Sequence, residues 1–328
     1  MQALRGLAKA AGLLLLLSSS LSVAQPALMP LIYGGNTVAP HHAEWAVELF
    51  VFSHHENGNS VGGVCGGALI NHQHVLTAAH CVYGQTAQDI YLNIGDINTP
   101  ATIRDYSHRA AQVFVHPLYK GSHDSYRHDI ALIKLTEAAP SYLQTIPIHH
   151  RLPTQTNAKV TAYGWGETED GALSDVLLST TLEYIPAEAC SWEISQSSFC
   201  AVSPDAALNT SPYGNDACIG DSGGPLTYHV NGTEALLGIT SYGARACGTH
   251  PMRNFDGDPN TLPFPGVYIH PAYYQRWIDC VKTQETSCTS EGDHEARMEL
   301  EDRNGGVGGW AFLLLTSLFI WRSTRVRI

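Results

Sequence analysis

Three stretches of the chain carry side chains that could act together on a carbonyl carbon. Thr77-Ala78-Ala79-His80-Cys81 supplies an imidazole. His128-Asp129-Ile130-Ala131-Leu132-Ile133-Lys134-Leu135 places a carboxylate at the head of an apolar run. Gly220-Asp221-Ser222-Gly223-Gly224-Pro225 sets a hydroxyl in a glycine-rich loop. A serine hydroxyl is a weak nucleophile until a neighbouring imidazole takes its proton. A carboxylate behind that imidazole fixes its tautomer and stabilises the imidazolium that forms. Together His80, Asp129 and Ser222 could run acyl transfer through a covalent serine intermediate. Each alone is ambiguous, because single histidines and buried aspartates usually serve structure.

The elements around these residues decide how they can meet. Between Tyr33 and Tyr268 the sequence runs in short alternating or apolar segments, at 45–52, 75–79, 113–115, 129–135, 160–163 and 236–239, separated by Gly, Pro, Asn and Asp. That pattern predicts an all-β domain of many short strands. A late helix is expected over 272–281, where Tyr273, Trp277 and Val281 recur every four residues and Pro271 suits the first turn. Gly220-x-Ser222-x-Gly224 also fits the nucleophile elbow of α/β-hydrolases, with Asp256 or Asp258 and His270 to follow. That fold needs a helix straight after the serine, which Gly223-Gly224-Pro225 would cripple. It also needs a preceding βαβ pattern, which is missing.

The joint pattern resembles the trypsin-like (chymotrypsin-fold) serine peptidases, from Ile32 to about Val281. The resemblance implies two antiparallel six-stranded β-barrels with a C-terminal helix and an active site in the cleft between the barrels. It implies His80, Asp129 and Ser222 as the catalytic residues, and the backbone N–H groups of Gly220 and Ser222 as the oxyanion hole. Ser241 would lie under the cleft and help hold Asp129; the following residue is Tyr242 where the family usually has tryptophan. Disulfides would join Cys65 to Cys81, Cys190 to Cys200 and Cys218 to Cys247. Cys280 and Cys288 are then left to each other, a pair for which the family gives no strong support. Asp216 matches the floor of the primary specificity pocket, and Gly243 and Gly266 match its walls. A carboxylate at the base of an open slot favours Arg or Lys. Ala217 stands where many relatives have serine. Arginine reaches a carboxylate bidentately while lysine leans on hydroxyls and water, so arginine is expected to be preferred. Ile32-Tyr33-Gly34-Gly35 resembles the mature N-terminus of the family, whose new ammonium would pair with Asp221 after cleavage. The residue before it is Leu31, which a pocket with Asp216 should not accept. A separate activating protease is therefore expected. The rival reading is a catalytically inactive trypsin-like binding protein, but such proteins usually lose a triad member.

Composition and the two ends bound the rest. Lys and Arg number 18 against 30 Asp and Glu, a net charge of −12, and five of the basic residues sit in the end segments. A nucleic-acid partner would need a basic face, and none is expected. With 44% hydrophobic and 15% charged residues the chain is not largely disordered. Residues 1–24 read as a signal peptide: Arg5 and Lys9, an apolar run, then Ser22-Val23-Ala24. A short propeptide would span 25–31, the peptidase domain 32–282 and an acidic spacer 283–304. The segment 305–328 has 17 uncharged residues from Gly305 to Trp321, then Arg322, Arg325 and Arg327. It could be a transmembrane anchor with its C-terminus in the cytoplasm. It also resembles the Gly-Gly C-terminal sorting signals of Gram-negative bacteria, which implies a sorting protease and type II secretion machinery as partners. Eight cysteines in an exported chain read as disulfides. The histidine pairs 41–42, 54–55 and 149–150 point apart, so no metal and no cofactor is expected. The expected substrates are proteins or peptides met outside the cell or at its surface.

Overall fold

The computed structural model describes residues 32–54, 60–190, 193–204, 214–243, 247–248, 265–283 and 288. The expected signal peptide and propeptide (1–31), all of the acidic spacer except Thr283 and Cys288, and the tail (305–328) lie outside the described residues. Among the described residues no helix is long and apolar enough to cross a membrane.

Strands form where side chains alternate between a core and a second face. The strand β9 shows this well: of Leu178–Ile185, positions Leu178, Thr180, Leu182 and Tyr184 are buried and the residues between them are less so. Six strands close the first barrel in the order β2 (Ala46–His54), β3 (Ser60–Asn71), β4 (His74–Thr77), β7 (Ala131–Leu135), β6 (His108–Val115) and β5 (Ile90–Ile94), which returns to β2. The second barrel runs β8 (Lys159–Gly164), β9, β10 (Ser198–Val202), β13 (Gly266–Ile269), β12 (Thr233–Tyr242) and β11 (Pro225–Val230), which pairs back to β8. A two-residue strand, β1 (Asn36–Thr37), lies along the edge of β9. All pairings are antiparallel. This is the expected all-β fold of two six-stranded barrels.

Two details depart from the sequence reading. The run at 75–79 stays extended only to Thr77, and Ala79–Val82 form a short helix, α1. The C-terminal helix starts later than expected, because Pro271–Tyr274 form a 3-10 turn before α2 (Gln275–Thr283). Pro271 opens this turn at a position whose N–H has no intrahelical partner, as it would have opened an α-helix. Trp277, Ile278 and Val281 of α2 are buried in the core of the first barrel, so the last helix clamps the barrel formed first in the chain. Tyr163 of β8 packs edge-on against Trp45 with ring centroids 5.0 Å apart, and this joins the two barrels.

Four disulfides reinforce the frame: Cys65–Cys81, Cys190–Cys200, Cys218–Cys247 and Cys280–Cys288. The first ties β3 to α1, next to His80.

Candidate active site

His80 lies on α1 and Asp129 just ahead of β7. The His80 Nδ1–H donates to Asp129 Oδ2 at 2.7 Å, and the His80 backbone N–H donates to Oδ1 at 2.8 Å. Asp129 is completely buried. Its Oδ2 accepts a third bond, from Ser241 Oγ at 2.6 Å. Two barrels thus meet on one carboxylate. Ser241 owes its aim to a bulge: Thr240 pairs with Tyr268 and Tyr242 with Val267, leaving Ser241 as the extra residue of β12. A bulge re-aims a side chain in just this way.

The turn that delivers Asp129 is strained. Ser125, Tyr126 and His128 all have φ between 52° and 58°, the left-handed region that non-glycine residues avoid. Packing holds them there. The His128 ring stacks on His116 with centroids 5.2 Å apart, and its Nδ1 hydrogen bonds the Tyr274 hydroxyl at 3.1 Å. Tyr126 stands edge-on to the His80 ring at 5.9 Å and leans on Tyr242 at 5.4 Å. These two tyrosines border the cleft, and the sequence motifs did not single out Tyr126. Its clue was position, three residues before Asp129.

Ser222 sits in the loop between the disulfide residue Cys218 and β11. Its carbonyl accepts from the Gly66 N–H of the first barrel at 2.6 Å, while Gly223 N–H donates to Thr240 of the second at 2.8 Å. The approach is so close that a Cβ on Gly66 would lie 2.5 Å from the Gly224 Cα, and one on Gly223 would strike the Thr77 hydroxyl. The N–H groups of Gly220 and Ser222 donate to no group among the described residues. Gly220 adopts φ 99°, which turns its peptide as few side-chain-bearing residues could.

Asp221 turns away from the cleft into the second barrel. Its carboxylate accepts from the N–H groups of Gly166 at 2.8 Å and Cys218 at 2.7 Å, and burial pushes it up to about 6. Ile32 is wholly buried, and among the described residues no bond joins it to Asp221. In the uncut chain its nitrogen is an amide and carries no charge. The segment after it is already docked: Asp216 N–H donates to the Tyr33 carbonyl at 3.0 Å, and Gly34 N–H donates to Glu169 Oε1 at 2.9 Å.

Asp216 is partly accessible, and its Oδ2 accepts from Gly248 N–H at 3.0 Å. Burial, then backbone hydrogen bonds that oppose it, leave the carboxyl up at about 7. The Tyr268 hydroxyl nearby is buried with no hydrogen-bond partner among the described residues, and burial together with Asp216 and Asp221 drives it upward. Gly243 and Gly266 face one another, a Cβ on the first lying 3.5 Å from the Cα of the second. Ala217 is half-buried beside Asp216. Cys65, His80 and Cys81 place donor atoms within 4.8 Å of one another. The two sulfurs are joined in a disulfide and are not available as thiolate ligands.

The Trypsin family profile matches residues 32–278. The chain belongs to the trypsin family. By that membership it is a trypsin-like serine endopeptidase. It is 30% identical over 275 residues to CLIP domain-containing serine protease B15 of Anopheles gambiae, covering 76% of this chain and 69% of that protein. It is 30% identical over 269 residues to Phenoloxidase-activating enzyme 1 of Spodoptera litura, covering 75% and 66%. With Trypsin eta of Drosophila melanogaster it shares 31% over 257 residues, 75% and 87% of the two chains. The chain thus spans about two thirds of the first two relatives' length and most of the third's.

Proposed function

We propose that the chain is an exported endopeptidase that hydrolyses peptide bonds after arginine, less readily after lysine, through an acyl-enzyme on Ser222. The observation that carries this reading is the buried Asp129 carboxylate, bonded at once to His80 and Ser241 across the barrel interface. An Arg side chain enters the slot between Gly243 and Gly266 and meets Asp216. A cation there ends the isolation of an acid that burial otherwise pushes towards its neutral form. Ser222 Oγ attacks the scissile carbonyl as His80 Nε2 takes its proton. Asp129 holds the imidazole in the tautomer that leaves Nε2 free and stabilises its charged form. The oxyanion is received by the N–H groups of Gly220 and Ser222, which donate to no other group among the described residues. His80 then gives its proton to the departing amine, and water repeats the sequence on the acyl-enzyme.

Cleavage between Leu31 and Ile32 starts this activity. The new ammonium moves onto Asp221, whose carboxylate lies next to Ser222 in sequence and is desolvated without a cation. Leu31 calls for a separate activating protease. A relative named as a phenoloxidase-activating enzyme supports a protein as the substrate. The export signal at 1–24 supports an extracellular or cell-surface site of action. The relatives above are insect proteins, so the bacterial sorting reading of 305–328, with its sorting protease and type II secretion, rests on those residues alone.

The test is to cleave the precursor at Leu31, then expose it to a fluorophosphonate and to matched Arg and Lys peptides. Labelling of Ser222 with faster turnover of the Arg peptide is expected. A cleaved, folded protein that neither labels nor turns over would return the inactive binding protein as the better reading.

A further inference from the structure

A cavity of about 380 Å³ lies between the first barrel and the loop after β8. Its walls are Phe50 and Val64 of the first barrel and Trp165 and Leu173 of the loop after β8, and its rim and floor carry Asp175 and Glu48. Val64 precedes Cys65, whose disulfide lies beside His80. A Cβ on Gly220 would lie 2.8 Å from a Leu173 methyl, so the cavity wall touches the oxyanion loop itself. On the peptidase reading, an arginine seated at Asp216 between Gly243 and Gly266 puts the acyl part of the substrate on that side of Ser222. The departing amine then lies towards His80 and the Cys65–Cys81 disulfide, the side on which Val64 enters the cavity wall.

The charges in the cavity are of one sign. Glu48 and Asp175 line it, and no basic side chain among the described residues does. Asp175 is exposed at the rim, whereas Glu48 is 1% exposed. Thr99 Oγ donates to Glu48 Oε1 at 3.1 Å, and Asn93 and Tyr106 add weaker or longer bonds. All three partners are neutral. Burial outweighs them and, with the charge of Asp175, pushes Glu48 up to about 7. An acid in that condition gains from any cation brought within reach. Much of the wall is apolar, and Leu173, 46% exposed, holds a large hydrophobic side chain in solvent at its edge. Apolar walls leading to two carboxylates match a long aliphatic stem that ends in a charge.

We propose that this cavity is a second recognition pocket, taking an arginine or lysine side chain from one of the first three residues on the leaving-group side of the scissile bond. It rests on the peptidase reading above and names the substrate of the same site more closely: a segment with a basic residue on each side of the cut. Glu48 and Asp175 are specificity-determining residues here. A purely structural role for Glu48, holding the loop at 95–106, would lower stability and leave selectivity unchanged.

The experiment uses the cleaved enzyme and quenched peptides with arginine before the scissile bond. Each of the three following positions is set in turn to Arg, Lys, Ala, Leu or Glu, and an Arg anilide, which places nothing in the cavity, reports the catalytic centre separately. At one position Arg and Lys should exceed Ala by about fivefold or more in kcat/KM, with Glu worst. In Asp175→Asn and in Glu48→Gln the ratio of basic-peptide to alanine-peptide turnover should fall towards one. Asp175 is exposed, so its variant stands even where the buried Glu48 replacement fails to fold. A flat profile, a preference for Leu, or variants that keep the basic preference would overturn this inference alone. Absence of cleavage after arginine in every substrate, anilide included, would overturn the peptidase reading and this inference with it.

Discussion

Asp129 accepts three hydrogen bonds in complete burial, and that fixes what its replacement should do. Asparagine keeps the shape but offers an N–H where His80 needs an acceptor, so the imidazole is held in the wrong tautomer. Asp129→Asn should cost about 10⁴-fold in kcat, the loss this change produces in the family's best-studied triad, with KM little altered. Ser222→Ala should remove turnover while leaving binding of an arginine-tipped inhibitor intact, which calorimetry can check. Ala217 offers a finer test. Adding a hydroxyl beside Asp216 supplies an acceptor for a lysine ammonium, which is shorter than an arginine and donates three N–H bonds. Ala217→Ser should therefore narrow the Arg:Lys ratio of kcat/KM by about three- to tenfold, roughly the worth of one hydrogen bond to a charged group. An unchanged ratio would mean that Ala217 does not set the preference.

Single elements carry constraints that no one residue reveals. The bulge in β12 exists to bring Ser241 to Asp129, and its hydroxyl is the second barrel's hold on a first-barrel carboxylate. Ser241→Ala leaves that bond unmade, so kcat should fall by about tenfold with the barrel pairings intact, as circular dichroism would show. The β3 strand meets the Ser222 loop backbone to backbone at Gly66. A methyl there must push against Gly224, and Gly66→Ala should cost about 1–3 kcal/mol in a urea melt along with most of the activity. Much of this architecture is legible in the sequence, because alternation writes barrel strands such as β9 directly and the three motifs mark their own loops. Other parts are not. The end of β4 at Thr77 depends on where β7 stops pairing, and the bulge depends on the register between β12 and β13. Tyr126 and Glu48 look like ordinary loop and strand residues until the fold brings Tyr126 to His80 and leaves Glu48 under a cavity. Long-range neighbours have no local spacing to betray them.

At the scale of the whole molecule, the proposed cut between Leu31 and Ile32 is the event to test. With the proposed preference for Arg and Lys, Leu31 would keep the precursor from activating itself, so Leu31→Arg should let a trace of active enzyme convert the rest autocatalytically, followed as a sigmoidal rise in Arg-anilide turnover. The cut also changes how stability depends on pH. In the uncut chain burial raises Asp221 to about 6 and Asp216 to about 7, both from an ordinary value near 3.8. A folded carboxyl raised above its unfolded value binds its proton over a range where the unfolded chain has lost it. Its contribution to stability is therefore greatest at low pH and declines as pH climbs from about 4 to about 7. On the proposed activation, the Ile32 ammonium pairs with Asp221 after cleavage and draws its pKa down, which removes that part of the decline. The ammonium itself is raised by the same pairing, so its stabilisation holds below about pH 8, the unfolded value of an α-amino group, and is lost as pH rises through its folded value. Asp216 behaves alike in both forms, so the stability difference between cut and uncut forms should open between about pH 4 and 6, stay wide near neutrality and close again in alkali. Thermal unfolding of the Ser222→Ala protein before and after removal of 1–31 measures it without self-digestion. Parallel curves across that range would mean that Ile32 does not pair with Asp221, and the activation step would need another acceptor, for which Glu169, bonded to Gly34 and with its second oxygen buried and unpartnered among the described residues, is a candidate.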